Sequence, residues 1–184
     1  MSLTITHAGV AQTSTRDAQG QGHKVIRITP TMTGATGEFV SGDTLTPVLV
    51  ELPNAVDNDG GISLLQGMSV FNKDNADCAL GIVFFENNST PAFGTINAAP
   101  SISDADFLAN NPLGSVELNA VDQTMFGGNR FGTAGGATDD HEPNQLFLQA
   151  AAGSTSVYFA MVARTTTTFD TATDISLIFN IKYV

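Results

Sequence analysis

The residues best suited to metal chemistry lie together in the segment TDDHEP, residues 138–143. Asp139, Asp140, His141 and Glu142 offer carboxylate oxygens and one imidazole, which are ligands that divalent cations accept. Four adjacent side chains cannot easily converge on one ion, however, and runs of charged residues are usually solvated. We therefore predict a solvated loop here, and whether residues 139–142 bind a cation stays open.

The other candidate motifs are incomplete. DNDGG, residues 57–61, has the composition of a calcium loop but lacks the remaining ligands, and Asp or Asn before Gly is typical of a tight turn. His7, His23 and His141 are too scattered to form a recognisable triad, and the sequence has neither a Gly-X-Ser-X-Gly elbow nor a Walker A loop. We predict no catalytic, cofactor-binding or metal-binding residue and no enzyme activity, although two distant carboxylates could still meet in space.

The composition excludes several classes of partner. Charged residues make up only 14% of the 184 residues, and the formal net charge is −11. Such a chain repels phosphates and anionic lipids, so neither nucleic acid nor membrane is an expected partner.

The single cysteine, Cys78, excludes an internal disulfide and is expected to be a small buried hydrophobe. The N-terminal residues do not resemble a signal peptide, and no apolar run approaches the length of a membrane span, so a soluble protein made in a reducing cytoplasm is expected.

The N-terminal part differs in character from the rest. Residues 1–23 are polar and weakly patterned, and they predict a flexible or extended N-terminal arm that orders only against a partner. Residues 24–184 are predicted to form a single β-sandwich domain, with a first strand at residues 25–29. CALGIVFFE, residues 78–86, is apolar on both faces and predicts a central strand covered on both sides. ISLLQGMSVF, residues 62–71, predicts a strand with one shared face: Ile62, Leu64, Gln66, Met68 and Val70.

A long connection follows the central strand. GTINAAPSISDADF, residues 94–107, predicts a crossover that leads into a short helix covering one end of the sandwich. Ser101 or Ser103 is the expected N-cap, because acidic residues follow in the first turn. Phe107 and Leu108 are expected to attach this helix to the core.

The C-terminal half predicts further strands and one long loop. Residues 123–145 form a glycine-rich segment, which predicts a long loop that is either functional or disordered. QLFLQAAAGSTSVYFAMVART, residues 145–165, predicts a hairpin whose apolar strand could also share a subunit interface, and residues 174–184 alternate as a strand does. About eight strands and one short helix predict an all-β fold, an antiparallel two-sheet sandwich with jelly-roll-like character.

Several segments are unusual enough to suggest a family. VIRITPTM, ELPNAV, IVFFENNSTPAFGTINAAPSISDAD and LQAAAGSTSVYFAMVAR resemble small proteins encoded by tailed bacteriophages, in particular marine and cyanobacterial phages. The resemblance covers residues 24–183 and departs from the family pattern in the glycine-rich segment and in RTTTTFDTATD. It implies a virion structural protein, a head decoration (cement) protein or a head fibre, on the phage head surface. The implied partners are the major capsid protein and further copies of the chain, for which capsid symmetry suggests a homotrimer.

Two other functions remain open. A receptor-binding or glycan-binding module on a head fibre or tail would need exposed aromatic side chains, for which Phe126 and Phe131 are the candidates. A virion-borne polysaccharide hydrolase would need a cleft with two close carboxylates.

Overall fold

The computed structural model describes residues 3–7, 10–16, 22–32, 37–120, 123–134 and 146–184, the first two ranges as backbone only. These residues form strands and one short helix. The strands are β1 (Leu3–His7), β2 (Val10–Arg16), β3 (Gly22–Ile28), β4 (Gly37–Phe39), β5 (Val50–Leu52), β6 (Ile62–Asn72), β7 (Leu80–Phe85), β8 (Pro112–Leu118), β9 (Gln123–Phe126), β10 (Asn129–Ala134), β11 (Leu146–Gln149), β12 (Val157–Ala163), β13 (Thr167–Phe169) and β14 (Ile175–Tyr183), and the helix is α1 (Asp104–Ala109).

Two antiparallel sheets contain most of these strands. The larger sheet has the order β1-β2-β3-β14-β6-β10-β9, with β11 also paired to β6, and the smaller sheet has the order β5-β12-β7-β8. Strands β4 and β13 form a separate pair. The chain passes repeatedly from one sheet to the other, which gives more and shorter strands than the eight expected.

The main core lies between the two sheets. Phe84 and Phe159 extend from the smaller sheet and Phe179 from the larger one, and their ring centroids are 5.5–6.1 Å apart. This spacing is the one that interacting aromatic rings prefer, and all three side chains are fully buried. The predicted all-β antiparallel sandwich with one short helix is therefore confirmed.

A bulge in β6 changes which of its residues face the core. Asn180 pairs with Gly67 and Ile181 pairs with Leu65, so Gln66 is an extra residue in β6. Ser63 and Leu65 are buried before the bulge, Met68 and Val70 are buried after it, and Ile62 is 45% exposed. The predicted single face from Ile62 to Val70 is therefore wrong, because one inserted residue reverses the alternation of side chains.

The glycine-rich segment begins with a hairpin. Strands β9 and β10 pair antiparallel through the two-residue turn Gly127-Gly128, and Gly127 has φ +66°. Turns of this kind need positive φ, which glycine adopts without strain. Residues 123–134 are thus strands and a turn, whereas the remaining residues of the predicted loop, 135–145, lie outside the described residues.

The predicted hairpin of residues 145–165 is also wrong. Strand β11 pairs with β6 in the larger sheet, while β12 lies between β5 and β7 in the smaller one. The small residues at 150–156 therefore carry the chain from one sheet to the other. Since both edges of β12 are already paired, neither edge is available as a subunit interface.

The predicted N-terminal arm contains two strands. Strand β2 pairs with both β1 and β3, and Thr13 lies opposite Val25. Residues 3–7 and 10–16 are extended, and β2 forms its backbone ladder with β3 of the same chain. Pairing through backbone N–H and C=O groups needs no apolar alternation, which is why the polar sequence did not indicate it.

Candidate interaction surface

The residues with the best metal-binding chemistry are not placed by the structure. Asp139, Asp140, His141 and Glu142 lie outside the described residues, as does the side chain of His7. His23 is half-buried on β3. Within the described part of the chain, no group of three or more His, Cys, Asp or Glu side chains could hold a metal ion.

The segment DNDGG forms a turn, as predicted. The Gly61 N–H donates to the Asn58 carbonyl oxygen over 2.9 Å, and Gly60 has φ +67°. Cys78 is fully buried, also as predicted. Burial raises the pKa of its thiol to about 12, against a smaller opposing effect of the Thr167 hydroxyl. A thiol that stays protonated at neutral pH is a poor nucleophile.

The crossover at residues 94–100 is held by backbone hydrogen bonds. Gly94 forms an isolated β-bridge with Pro100, and Thr44 both donates to Ala98 (2.8 Å) and accepts from Asn97 (3.1 Å). Gly94 has φ +156°, and a Cβ there would lie 3.2 Å from the Thr44 hydroxyl oxygen. Only glycine fits this position without strain. Because these contacts are backbone hydrogen bonds within the chain, they are those of a structural connection.

Helix α1 is capped by Ser103, one of the two predicted N-caps. The Ser103 hydroxyl accepts from the Asp106 N–H over 3.1 Å. Phe107 packs edge-on against Phe85 with ring centroids 5.2 Å apart, whereas Leu108 is 65% exposed and does not join the core. Since Phe85 faces away from the main core, the helix covers the outer face of the smaller sheet rather than one end of the sandwich. Strand β7 is therefore covered on both faces, as predicted.

A second small cluster lies beneath this helix. Phe85, Phe93, Leu49 and Ala160 form its buried part, and Phe107 packs against it. Asn110 closes the helix and is completely buried. Its side chain donates to the Thr90 carbonyl oxygen over 2.8 Å and accepts from the Thr90 N–H over 3.0 Å. The crossover and the helix are thus one packed layer on the smaller sheet.

A buried lysine that sequence reasoning missed holds the turn after β5. Lys24 is 7% exposed, and its Nζ donates to the Asn54 carbonyl oxygen over 3.0 Å. The Tyr183 hydroxyl donates to the same oxygen over 3.2 Å. Burial lowers the pKa of Lys24 to about 8, although the Asp57 carboxylate opposes this change, and burial raises the pKa of Tyr183 to about 12. Because the amine donates to a backbone carbonyl of the turn, its role is to attach the turn to β3.

An open apolar groove lies where β11 and β8 approach each other. It has a volume of about 760 Å³. Phe147, Ile62 and Val184 are 63%, 45% and 70% exposed in it. The full lining is Asn58, Gly60, Gly61, Ile62, Pro112, Leu113, Phe147, Gln149 and Val184. No acidic or basic side chain belongs to this set, although the chain as a whole carries a net charge of −11.

The predicted aromatic candidates lie on the β9–β10 hairpin. Phe126 is 61% exposed and Phe131 is half-buried. Phe126 lies opposite Asn129, and Phe131 lies opposite both Thr124 and Phe71. Because opposite residues share a face of a sheet, the three phenylalanines lie on the outer face of the larger sheet.

The sequence matches no protein-family model and no curated protein. Among solved structures, one match is the K3 cleaved adhesin domain of Lys-gingipain from Porphyromonas gingivalis, with 13% sequence identity and a TM-score of 0.28, covering 94% of this chain and 71% of that one. A similarity this low supports no argument about function. The described residues include no helix of the length and apolarity needed to cross a membrane.

Proposed function

We propose that this chain is a non-enzymatic structural protein of a tailed-phage virion, namely a capsid decoration protein that binds the outer head surface and stabilises the shell. The sequence segments that resemble phage head proteins suggest this role. The structural observation that supports it best is the uncharged apolar groove between β8 and β11. The proposed partners are the major capsid protein and further copies of the chain, with a trimer on a local three-fold axis as the expected assembly.

The groove has the properties of a contact site. Phe147 and Ile62 expose apolar area to water at a cost of roughly 25 cal/mol per Å², and a protein partner that covers them recovers this free energy. Contiguous exposed apolar surface commonly marks an interaction site. Since no charged side chain lines the groove, a partner that fills it would bury no ionised side chain of this lining.

Binding to shells tests the proposal. We would mix the purified protein with empty heads of the phage whose genome encodes it, prepared without this protein, and measure bound mass and the temperature at which the heads break. Binding at a fixed stoichiometry with a higher breaking temperature is the expected result. A protein that leaves the mass and the heat stability of the heads unchanged would refute the decoration role.

A matched pair of variants tests the groove itself. Phe147→Ser should weaken shell binding, because it removes the largest exposed apolar side chain of the groove. Val48→Ser changes another exposed apolar residue, 53% exposed, that does not line the groove. Equal binding by both variants would mean that the shell contact lies elsewhere.

A receptor-binding or glycan-binding module is the second candidate, because Phe126, Phe131 and Phe71 share one outer face. Exposed aromatic rings present flat apolar surfaces to a ligand. A glycan array and host-cell binding would test this function. Loss of binding in Phe126→Ala but not in Met125→Ala, which changes the opposite face of β9, would favour it.

A further inference from the structure

The larger sheet ends at β9 with an edge that has no neighbour among the described strands. Its sequence, QTMF, contains neither a charged residue nor proline, the residues that usually protect an edge strand. The edges of the smaller sheet do carry such protection. Strand β5 has only three residues, including Glu51, and β8 contains Pro112, Glu117 and a bulge.

The charge around β9 also favours close approach of a second copy. Two chains that each carry a net charge of −11 repel each other over most of their surfaces. The β9–β10 hairpin contains one charged side chain, Arg130, and its guanidinium pairs with the Asp77 carboxylate at 2.5 Å. Among the described residues, strand β9 itself therefore carries no charge and the one charge of its hairpin is paired.

We propose that β9 pairs antiparallel with β9 of a second copy about a two-fold axis perpendicular to the sheet. Such an axis keeps each face of the sheet on the same side in both copies. Thr124 and Phe126 lie on one face and Met125 on the other, so matched faces allow two registers of three paired residues, 123–125 or 124–126. We choose 124–126, because all three of these residues are exposed whereas Gln123 is buried. Met125 then lies opposite Met125 of the second copy, and Thr124 lies opposite Phe126.

This contact covers side chains that are exposed in the single chain. Met125 is 53% exposed and Phe126 is 61% exposed. Three paired residues bury much less than the roughly 800 Å² per partner of a standard interface, so the association should be weak. A two-fold contact joins two chains into a dimer, and it would join two trimers in pairs if the proposed trimer also forms. The contact does not depend on capsid binding.

Disulfide formation tests the register directly. Directly opposite residues in an antiparallel pair have Cα atoms about 4.5–5.5 Å apart, within the range that a disulfide bridges. The variant Met125→Cys should therefore form a covalent dimer under mild oxidation. Phe126→Cys is the matched control, because its copies would lie diagonally at about 7–8 Å. The native Cys78 is fully buried and does not compete.

Sedimentation velocity provides the second measurement. The wild type should dimerise increasingly with concentration, and Met125→Asp, which places a charge on the edge, should stay monomeric while keeping the wild-type circular dichroism spectrum. The proposal is overturned if folded Met125→Cys stays monomeric on oxidation, if Phe126→Cys crosslinks as readily, or if Met125→Asp dimerises like the wild type. Shell binding that survives in Met125→Asp would leave the decoration role intact, so the two proposals fail separately.

Discussion

Replacing Lys24 with Met should change how the stability of the protein depends on pH. The pKa of Lys24 is about 8 in the folded protein and 10.5 in the unfolded chain. Each unit of pKa difference corresponds to about 1.36 kcal/mol. The wild type should therefore gain at most about 3–4 kcal/mol of unfolding free energy as the pH rises through the two pKa values.

The sign follows from proton binding. Between pH 8 and pH 10.5 the unfolded chain binds more protons than the folded protein at this site, so raising the pH favours the folded state. Below pH 8 both states are protonated, and the folded protein carries the full cost of the buried charge. Methionine has a similar length and no charge, but it loses the hydrogen bond to the Asn54 carbonyl oxygen.

Three other groups have the opposite effect and must be separated from Lys24. Burial raises the pKa of Tyr158, and it raises the pKa values of Cys78 and Tyr183 to about 12, from 9.0 and 10.0. All three groups keep their protons longer in the folded protein, so each lowers stability as the pH rises above its unfolded value. They are also present in Lys24→Met, so their contributions cancel in the difference between the two proteins, except for any change at Tyr183, which shares the Asn54 acceptor with Lys24.

Urea unfolding at pH 7, 8.5 and 10 would measure this difference. We expect the stability of Lys24→Met relative to the wild type to fall by about 1–2 kcal/mol across this range, because solvent partly screens the Lys24 amine and reduces the full value. The control is Lys24→Arg, which stays charged throughout and should show no rise from this site. A difference between Lys24→Met and the wild type that stays constant within about 0.5 kcal/mol would refute the reasoning.

Three further predictions concern the helix layer and the cysteine. Phe107→Ala should lower the unfolding free energy by about 2 kcal/mol, because it removes a half-buried ring beside Phe85. Leu108→Ala on the same helix should change the unfolding free energy by less than about 0.5 kcal/mol, because Leu108 is exposed. Equal effects of the two variants in thermal melts would contradict this packing. Asn110→Ala should lower the unfolding free energy by about 2–3 kcal/mol, because the Thr90 N–H and C=O lose their side-chain partners. A loss below about 0.5 kcal/mol in urea unfolding would show that water replaces the Asn110 side chain. Cys78 should react with a thiol reagent at pH 8 only in denaturant, and rapid labelling of the native protein would contradict its burial.

The parts of the fold that the sequence predicted are those in which local pattern and tertiary position agree. The central strand β7 is apolar on both faces because a core lies on each side of it. In β14, buried and less buried side chains alternate as predicted, because the inserted residue of this strand pair lies in β6 and not in β14. The helix N-cap was also predictable, since Ser103 acts on a neighbouring N–H group.

The remaining features depend on which strands meet, and local sequence does not encode this. Gln66 is an extra residue only with respect to the pairing of β6 with β14, so the sequence of β6 alone could not predict the bulge. The turn residues between β11 and β12 indicate a change of direction but not a change of sheet. The site residues show the same limit, because Phe147 and Leu113 are distant in sequence and form one groove only through the approach of β11 to β8.

The position of β14 has a consequence for synthesis of the protein. This strand follows all the others in the sequence, yet it lies between β3 and β6 in the middle of the larger sheet. During translation, one edge of β3 and one edge of β6 therefore lack their native neighbour until residues 175–183 have left the ribosome. The larger sheet can then close only in a late step, and a ribosome that stalls before Ile175 would present two open strands to chaperones and to neighbouring nascent chains.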